Sequence, residues 1–157
     1  MTLTQSDVNQ TLDDRGLLDS AHGKGCYAIR VKTPNDVESV ARAFLSVSDV
    51  TPPDAYLDRL TADRVAYVGA SIDVYSRLMD HADGQVRKAT FLQAFDAVDV
   101  INEWPTERGK DPFEQEYNRA SDSPNAALCV GLTANCYSRL YVFFTHSLPK
   151  QVHLTIW

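Results

Sequence analysis

Apolar positions along this chain change period several times, and the changes mark its elements. Residues 25–32, GCYAIRVK, alternate with β-type residues and predict a strand. Val37, Val40, Ala41, Phe44 and Leu45 then recur at helical spacing. They make 34–47 an amphipathic helix, with Thr33 as N-cap and Pro34 at the first helical position. Thr51 before Pro52-Pro53 opens a second helix over 53–62, with Ala55, Tyr56, Leu57 and Leu60 as its apolar positions. VAYVGA at 65–70 reads as a strand. Asp73 caps a helix running to about residue 81, on which Arg77 and His81 form an i, i+4 pair. Asp83-Gly84 breaks it, 85–95 is a further helix, and 96–103 is a third strand in which Val98, Val100 and Trp104 alternate. Pro112 starts, or locally breaks, a helix through Ala120. The polar residues 1–24 predict a loose lead-in with one or two helical turns.

This order defines an α+β fold: a small mixed or antiparallel three-stranded sheet flanked by helices, with a helical insertion (33–63) between its first two strands. AALCVGL, LYVFFT and QVHLTIW then read as short strands of a β-rich C-terminal tail. The chain divides into a lead-in (1–22), a domain (23–122) and an extension (123–157). Residues 67–78, YVGASIDVYSRL, are echoed by 129–140, CVGLTANCYSRL, which is too short to define a repeat architecture.

Composition narrows the picture. With 157 residues, 44% of them hydrophobic, the chain can bury one core, which excludes the disordered class. No apolar run is long enough to span a membrane and the first thirty residues hold no leader-like apolar stretch, so a cytoplasmic protein is expected. Cys26, Cys129 and Cys136 form no CxxC pair and suit a reducing interior. Cys129, Cys136, His146 and His153 do not have the spacing of a structural zinc site.

Charge is unevenly spread. Sixteen of the 21 acids are Asp, and all 21 precede Ser123. Residues 1–122 therefore carry −8 and the remainder only Arg139 and Lys150. An Asp-rich, Lys-poor surface suits concentrated salt, where repulsion between carboxylates is screened. It offers no basic stripe for nucleic acid, because Arg59, Arg64, Arg77, Arg87 and Lys88 are interleaved with Asp58, Asp63, Asp73, Asp80 and Asp83. A site that holds a single phosphate needs only a local positive pocket.

Gly25-Cys26-Tyr27 and Tyr67-Val68-Gly69 stand on two strands and are followed by Ser71, Arg77 and His81. This set, in this order, resembles the GIY-YIG nuclease family over about residues 23–120, closest to small stand-alone GIY-YIG-like proteins of salt-adapted archaea. The resemblance implies an endonuclease, a hydrolase that binds DNA and cuts its phosphodiester bonds with Mg²⁺ or Mn²⁺. Tyr27, with Tyr67 beside it, would activate or orient water; Arg77 would hold the phosphate; His81 would accept a proton or contact the phosphate. A Glu on the later helix would hold the metal, and Glu114, flanked by Phe113 and Tyr117, matches the pattern better than Glu116. Glu103 and Glu107 stand outside that pattern. Three departures are visible: Cys26 replaces the usual Ile, 39 residues rather than a tight hairpin separate Tyr27 from Tyr67, and the family's Pro-x-x-Asn ending is missing.

The alternative is a catalytically inactive GIY-YIG-like module that binds protein or nucleic acid. Phe143-Phe144 and Trp157 give the tail an apolar surface through which copies of the chain would associate.

Overall fold

The structure, a computed structural model, describes residues 2–47, 54–61, 65–85, 90–112, 114–115, 126–131 and 139–143. Its centre is a three-stranded antiparallel sheet of β1 (Gly25–Lys32), β2 (Val65–Ser71) and β3 (Asp96–Pro105), in the order β2-β1-β3. Helices flank it, so the α+β class with an antiparallel sheet holds. The central strand shows why it sits there: Cys26 to Ile29 are all buried, as a strand covered on both faces must be.

Alternation in β1 sends Tyr27, Ile29 and Val31 to the main core, with Val65 and Tyr67 of β2 and Ala97 and Val100 of β3. Ala28 and Val68 face the other way, under Trp104. The third strand departs from the expected period. Ala28 pairs with Asn102 but Ile29 with Val100, and Arg30 pairs with Asp99 but Val31 with Ala97. Ile101 and Val98 are thus extra residues, and each such bulge resets which face the next residue takes. The core face of β3 is therefore Ala97, Val100 and Glu103, not Val98, Val100 and Trp104.

The lead-in is more ordered than its polarity suggests. Residues Gln5–Asp14 form α1, closed by a capping box in which Thr4 and Asp7 satisfy one another's backbone N–H groups. Its apolar positions are few but well spaced: Val8 and Leu12 lie one turn apart, and both are fully buried with Leu3. The Leu3 N–H donates to Ala97 O at 2.7 Å, tying this segment to β3. A short α2 (Leu18–Ala21) follows.

Between β1 and β2 lie α3 (Val37–Val47) and α4 (Asp54–Leu60), so the helical insertion is present. Its first helix begins later than Thr33-Pro34 implied. Asp36 accepts from the Ser39 N–H at 2.8 Å and so takes the capping role. Val40 and Phe44 bury its apolar stripe, and Phe44 meets Phe95 edge to face. Helix α5 (Val74–Ala82) starts at Asp73 as expected, with its carboxylate accepting from the Ser76 N–H at 3.0 Å, and ends at Asp83, where Gly84 adopts φ 67°. Of the 85–95 helix, α6 (Thr90–Ala94) is described.

Pro112, Glu114 and Gln115 are helical; residues 116–120 of the expected helix lie outside the described residues. In the tail, β4 (Ala126–Gly131) and β5 (Arg139–Phe143) pair antiparallel as a separate two-stranded sheet. The strand expected at QVHLTIW, with His146, His153 and Trp157, lies outside the described residues, as does Cys136.

Candidate active site

The two glycine-tyrosine strands meet in register. Tyr27 pairs with Gly69 across β1–β2, and Ile29 with Tyr67, so both tyrosines rise from the same face of the sheet. Helix α5 crosses that face and brings His81 onto them. Tyr27 Oη lies 2.7 Å from His81 Nε2, and the Tyr67 ring stands edge-on to the imidazole at 5.8 Å between centroids. The Tyr27 and Tyr67 ring centroids are 6.3 Å apart. All three are buried, with Tyr27 1%, Tyr67 6% and His81 6% exposed.

Gly69 makes this packing possible. A Cβ there would stand 2.5 Å from Tyr27 Oη and 2.6 Å from its Cζ, closer than any side chain tolerates. The glycine of the second motif is therefore the space occupied by the hydroxyl of the first.

Burial, aided by the positive charge of Arg77, drives the His81 pKa down from 6.5 to about 3. The ring is thus neutral at physiological pH, with one nitrogen able to accept a proton. Its Nδ1 is buried and has no hydrogen-bond partner among the described residues. Arg77 sits one turn before His81, with its side chain 38% exposed and 3.9 Å from Asp80 at the closest approach. It is accessible, and its field reaches the imidazole.

The expected acid behaves differently. Glu114 is exposed, and its carboxylate adds to the negative field on Lys110, which Glu107 holds at 2.9 Å. Cys26 Sγ, on the face of β1 opposite Tyr27, donates to Pro112 O at 3.1 Å, which anchors the turn carrying Glu114. No hydrogen bond or ion pair among the described residues joins Glu114 to the tyrosine–histidine group. Glu116 lies outside the described residues.

The carboxylate that does share the tyrosine face is Glu103, opposite Tyr27 on β3 and 2% exposed. Reading β3 as strict alternation turns Glu103 away from the core; the bulge at Ile101 turns it back. Ser20 Oγ of α2 donates to Glu103 Oε2 at 2.8 Å. Burial pushes the Glu103 pKa up, and the Ser20 bond opposes this. The polar groups of this face thus form a row from Gly69 through Tyr27 to Glu103, with His81 above one end and Ser20 above the other.

Among the described residues, no three His, Cys, Asp or Glu side chains converge as a ready-made metal cage. No helix among them is long and apolar enough to cross a membrane. Comparison with known proteins finds no match: no family model fits the chain, and neither a curated protein nor a solved structure is similar to it.

Proposed function

We propose that the protein is a metal-dependent endonuclease of the GIY-YIG kind that hydrolyses DNA phosphodiester bonds. The observation carrying this reading is the Tyr27–His81 contact at 2.7 Å, with Tyr67 against the imidazole and Arg77 one turn away. A tyrosine hydroxyl ordinarily ionises near ~10, so it serves as a base only beside a group that takes its proton. The neutral His81 ring is such a group. In the proposed step water attacks phosphorus and the bond to the leaving oxygen breaks. The water proton passes to Tyr27 Oη as the phenolic proton passes to His81 Nε2, and the buried imidazolium, which gives up its proton readily, returns one through solvent to the leaving oxygen. Arg77 grips the phosphate through its planar fork and stabilises the charge that develops on it. A divalent cation, Mg²⁺ or Mn²⁺, would supply Lewis-acid stabilisation of the leaving oxygen. Such ions use one or two carboxylates and keep several waters, so Glu114, with Glu116 two residues on, suits that task without a closed cage. The Asp-rich surface adds a working condition, concentrated salt, where long-range repulsion of DNA is screened.

The burial of the same side chains favours a second reading. Tyr27, Tyr67 and His81 are almost wholly enclosed, as residues of a structural core are. In this reading the chain is an inactive module of the same kind, binding protein or nucleic acid.

Plasmid nicking separates the two. The nuclease reading expects wild-type protein to nick supercoiled DNA with Mg²⁺ or Mn²⁺ in molar salt, and Arg77→Ala to lose at least about a hundredfold in rate, the scale of losing one preorganised charge partner. Equal nicking by both proteins removes Arg77 from the chemistry. Absence of nicking by pure, folded wild type leaves the binding module.

A further inference from the structure

The turn between β2 and α5 carries a side chain that neither the core nor the chemistry above uses. Ile72 is 79% exposed, the most open large hydrophobic residue among those described, and it joins neither core cluster. Apolar side chains scattered singly over a surface need no explanation, and Leu45 on α3 is one of these. Ile72 differs in how it is held and in what stands next to it.

Its backbone is fixed on both sides. Ser71 ends β2 opposite Gly25, and its Oγ donates to Asp73 O at 2.8 Å and accepts from the Asp73 N–H at 3.2 Å, which closes a bracket over Ile72. Asp73 then caps α5, and the Val74 N–H donates to Gly23 O at 3.1 Å. A backbone held in this way has little freedom left to lose when the side chain meets a partner.

The neighbour is Arg77. An apolar residue just before a helix cap commonly packs on the residue four places into the helix. Counted from the Asp73 cap, those two positions are Ile72 and Arg77, so the usual apolar cover is replaced by a cation. Tyr75, in the same first turn, is engaged elsewhere: its hydroxyl donates to Asn9 Oδ1 at 2.8 Å, and its ring lies 4.3 Å from that of His22. Asp73 fills the start of the helix with its own carboxylate, which accepts from the Ser76 N–H, so no phosphate is drawn there. An isoleucine set between that carboxylate and an arginine suits the uncharged part of a nucleotide beside its phosphate, the base and the sugar.

We propose that Ile72 is an apolar wedge that enters the base step beside the phosphate held by Arg77. Isoleucine is among the side chains that unstack a base step in this way. The substrate so favoured is a duplex already weakened at that step by a bulge or mismatch. The placing of a DNA phosphate at Arg77 rests on the nuclease reading.

The test compares a fully paired duplex with the same duplex carrying a bulge, using the full chain and its Ile72→Ala and Ile72→Leu variants. Binding is read by fluorescence anisotropy without metal, and nicking with Mn²⁺ on the same preparations. Wild type is expected to bind the bulged duplex about tenfold more tightly, because part of the unstacking is already done. Ile72→Ala is expected to lose about tenfold on the paired duplex and to stay within about twofold on the bulged one. Ile72→Leu, which keeps an apolar wedge, is expected to stay within about twofold on both. Thermal melting of the three proteins should agree, since the side chain is exposed. Equal affinity of wild type for the two duplexes overturns the proposal, and so does an Ile72→Ala loss that is absent or the same on both. Nicking by wild type alongside either result leaves the nuclease reading in place. A loss confined to the paired duplex, with no nicking by wild type, keeps the wedge and removes the nuclease. Wild-type protein that binds neither duplex removes both.

Discussion

At one end of the polar row, Tyr27 shares a hydrogen bond with a ring on α5 and rests against Gly69. At the other, Glu103 takes a hydroxyl from α2 and rests against Gly25. Both ends pack a polar atom into apolar surroundings over a glycine that has no room for a side chain. They differ in how burial acts on their ionisable groups. It holds His81 neutral by suppressing a positive charge, with Arg77 adding to the effect. At Glu103 it suppresses a negative charge, with Ser20 opposing. A single enclosed face therefore holds two proton sites biased in opposite directions, as acid–base pairs in enzymes often are. The contrast is also one of supply: the histidine end is built from β1, β2 and α5, while the carboxylate end depends on the N-terminal segment.

The glycines are the strongest place to break this arrangement. Gly25→Ala is expected to cost most, about 3 kcal/mol in urea unfolding, because its Cβ meets a backbone oxygen that cannot swing aside. Gly69→Ala should cost somewhat less, about 2 kcal/mol, since the obstacle is the end of a side chain. It should nonetheless separate Tyr27 from His81, visible as a changed imidazole nitrogen shift in NMR. A reversal, with Gly69→Ala the more damaging, would make the tyrosine end the less yielding of the two.

The two ends also predict pH limbs of opposite slope. The His81 pKa is depressed when folded, so its contribution is present above the usual value of 6.5 and is lost as pH falls towards about 3. That contribution is at most about 5 kcal/mol, from 1.36 kcal/mol for each unit. The Glu103 pKa is raised when folded, so its contribution is present below the usual value of 4.5 and is lost as pH rises through the folded value. Unfolding free energy measured between pH 3 and 7 should therefore keep its acid decline in Glu103→Gln and lose much of it in His81→Gln. The same decline in both variants would mean that other groups set it.

Smaller effects sharpen the comparison. Tyr27→Phe leaves His81 Nε2 buried without its hydroxyl and should cost about 2 kcal/mol. Ser20→Ala should cost about 1 kcal/mol, the value of an ordinary hydrogen bond. Smallest of all, Arg77→Ala should move the His81 titration upward without unfolding the chain, as read from its ring proton shifts. An unmoved titration would show that burial alone keeps the ring neutral.

Much of this frame is legible in the sequence. Gly25 to Val31 and Val65 to Ala70 show strand character, and Asp73 marks the start of the helix that carries Arg77 and His81. Those signals are local, and the motif spacing brings Tyr27, Tyr67 and His81 to one place. What is hidden is set by pairing between distant segments. Glu103 faces the site only because β3 takes an extra residue at Ile101, and nothing in 96–105 announces that bulge. The clue available was weaker: a half-buried Trp104 on one face obliges its neighbour to take the other. Ser20 is equally silent, because its partner lies 83 residues away. The lead-in was obscured by composition, since Leu3, Val8, Leu12 and Ala21, with Leu17 and Leu18 half-buried, are scattered among polar residues.

The order of the sheet has a consequence for how the chain is made. The central strand is the first to be synthesised, and both of its neighbours come later, β2 after the 32 residues that separate it from β1 and β3 later still. A nascent β1 therefore emerges with two open hydrogen-bonding edges and with Ile29 and Val31 uncovered, its charged residues being Arg30 and Lys32. Closing the loop to β2 sets the pace at which those edges are hidden. Refolding yield should accordingly fall with protein concentration, and the insertion helices, by folding locally, shorten the wait.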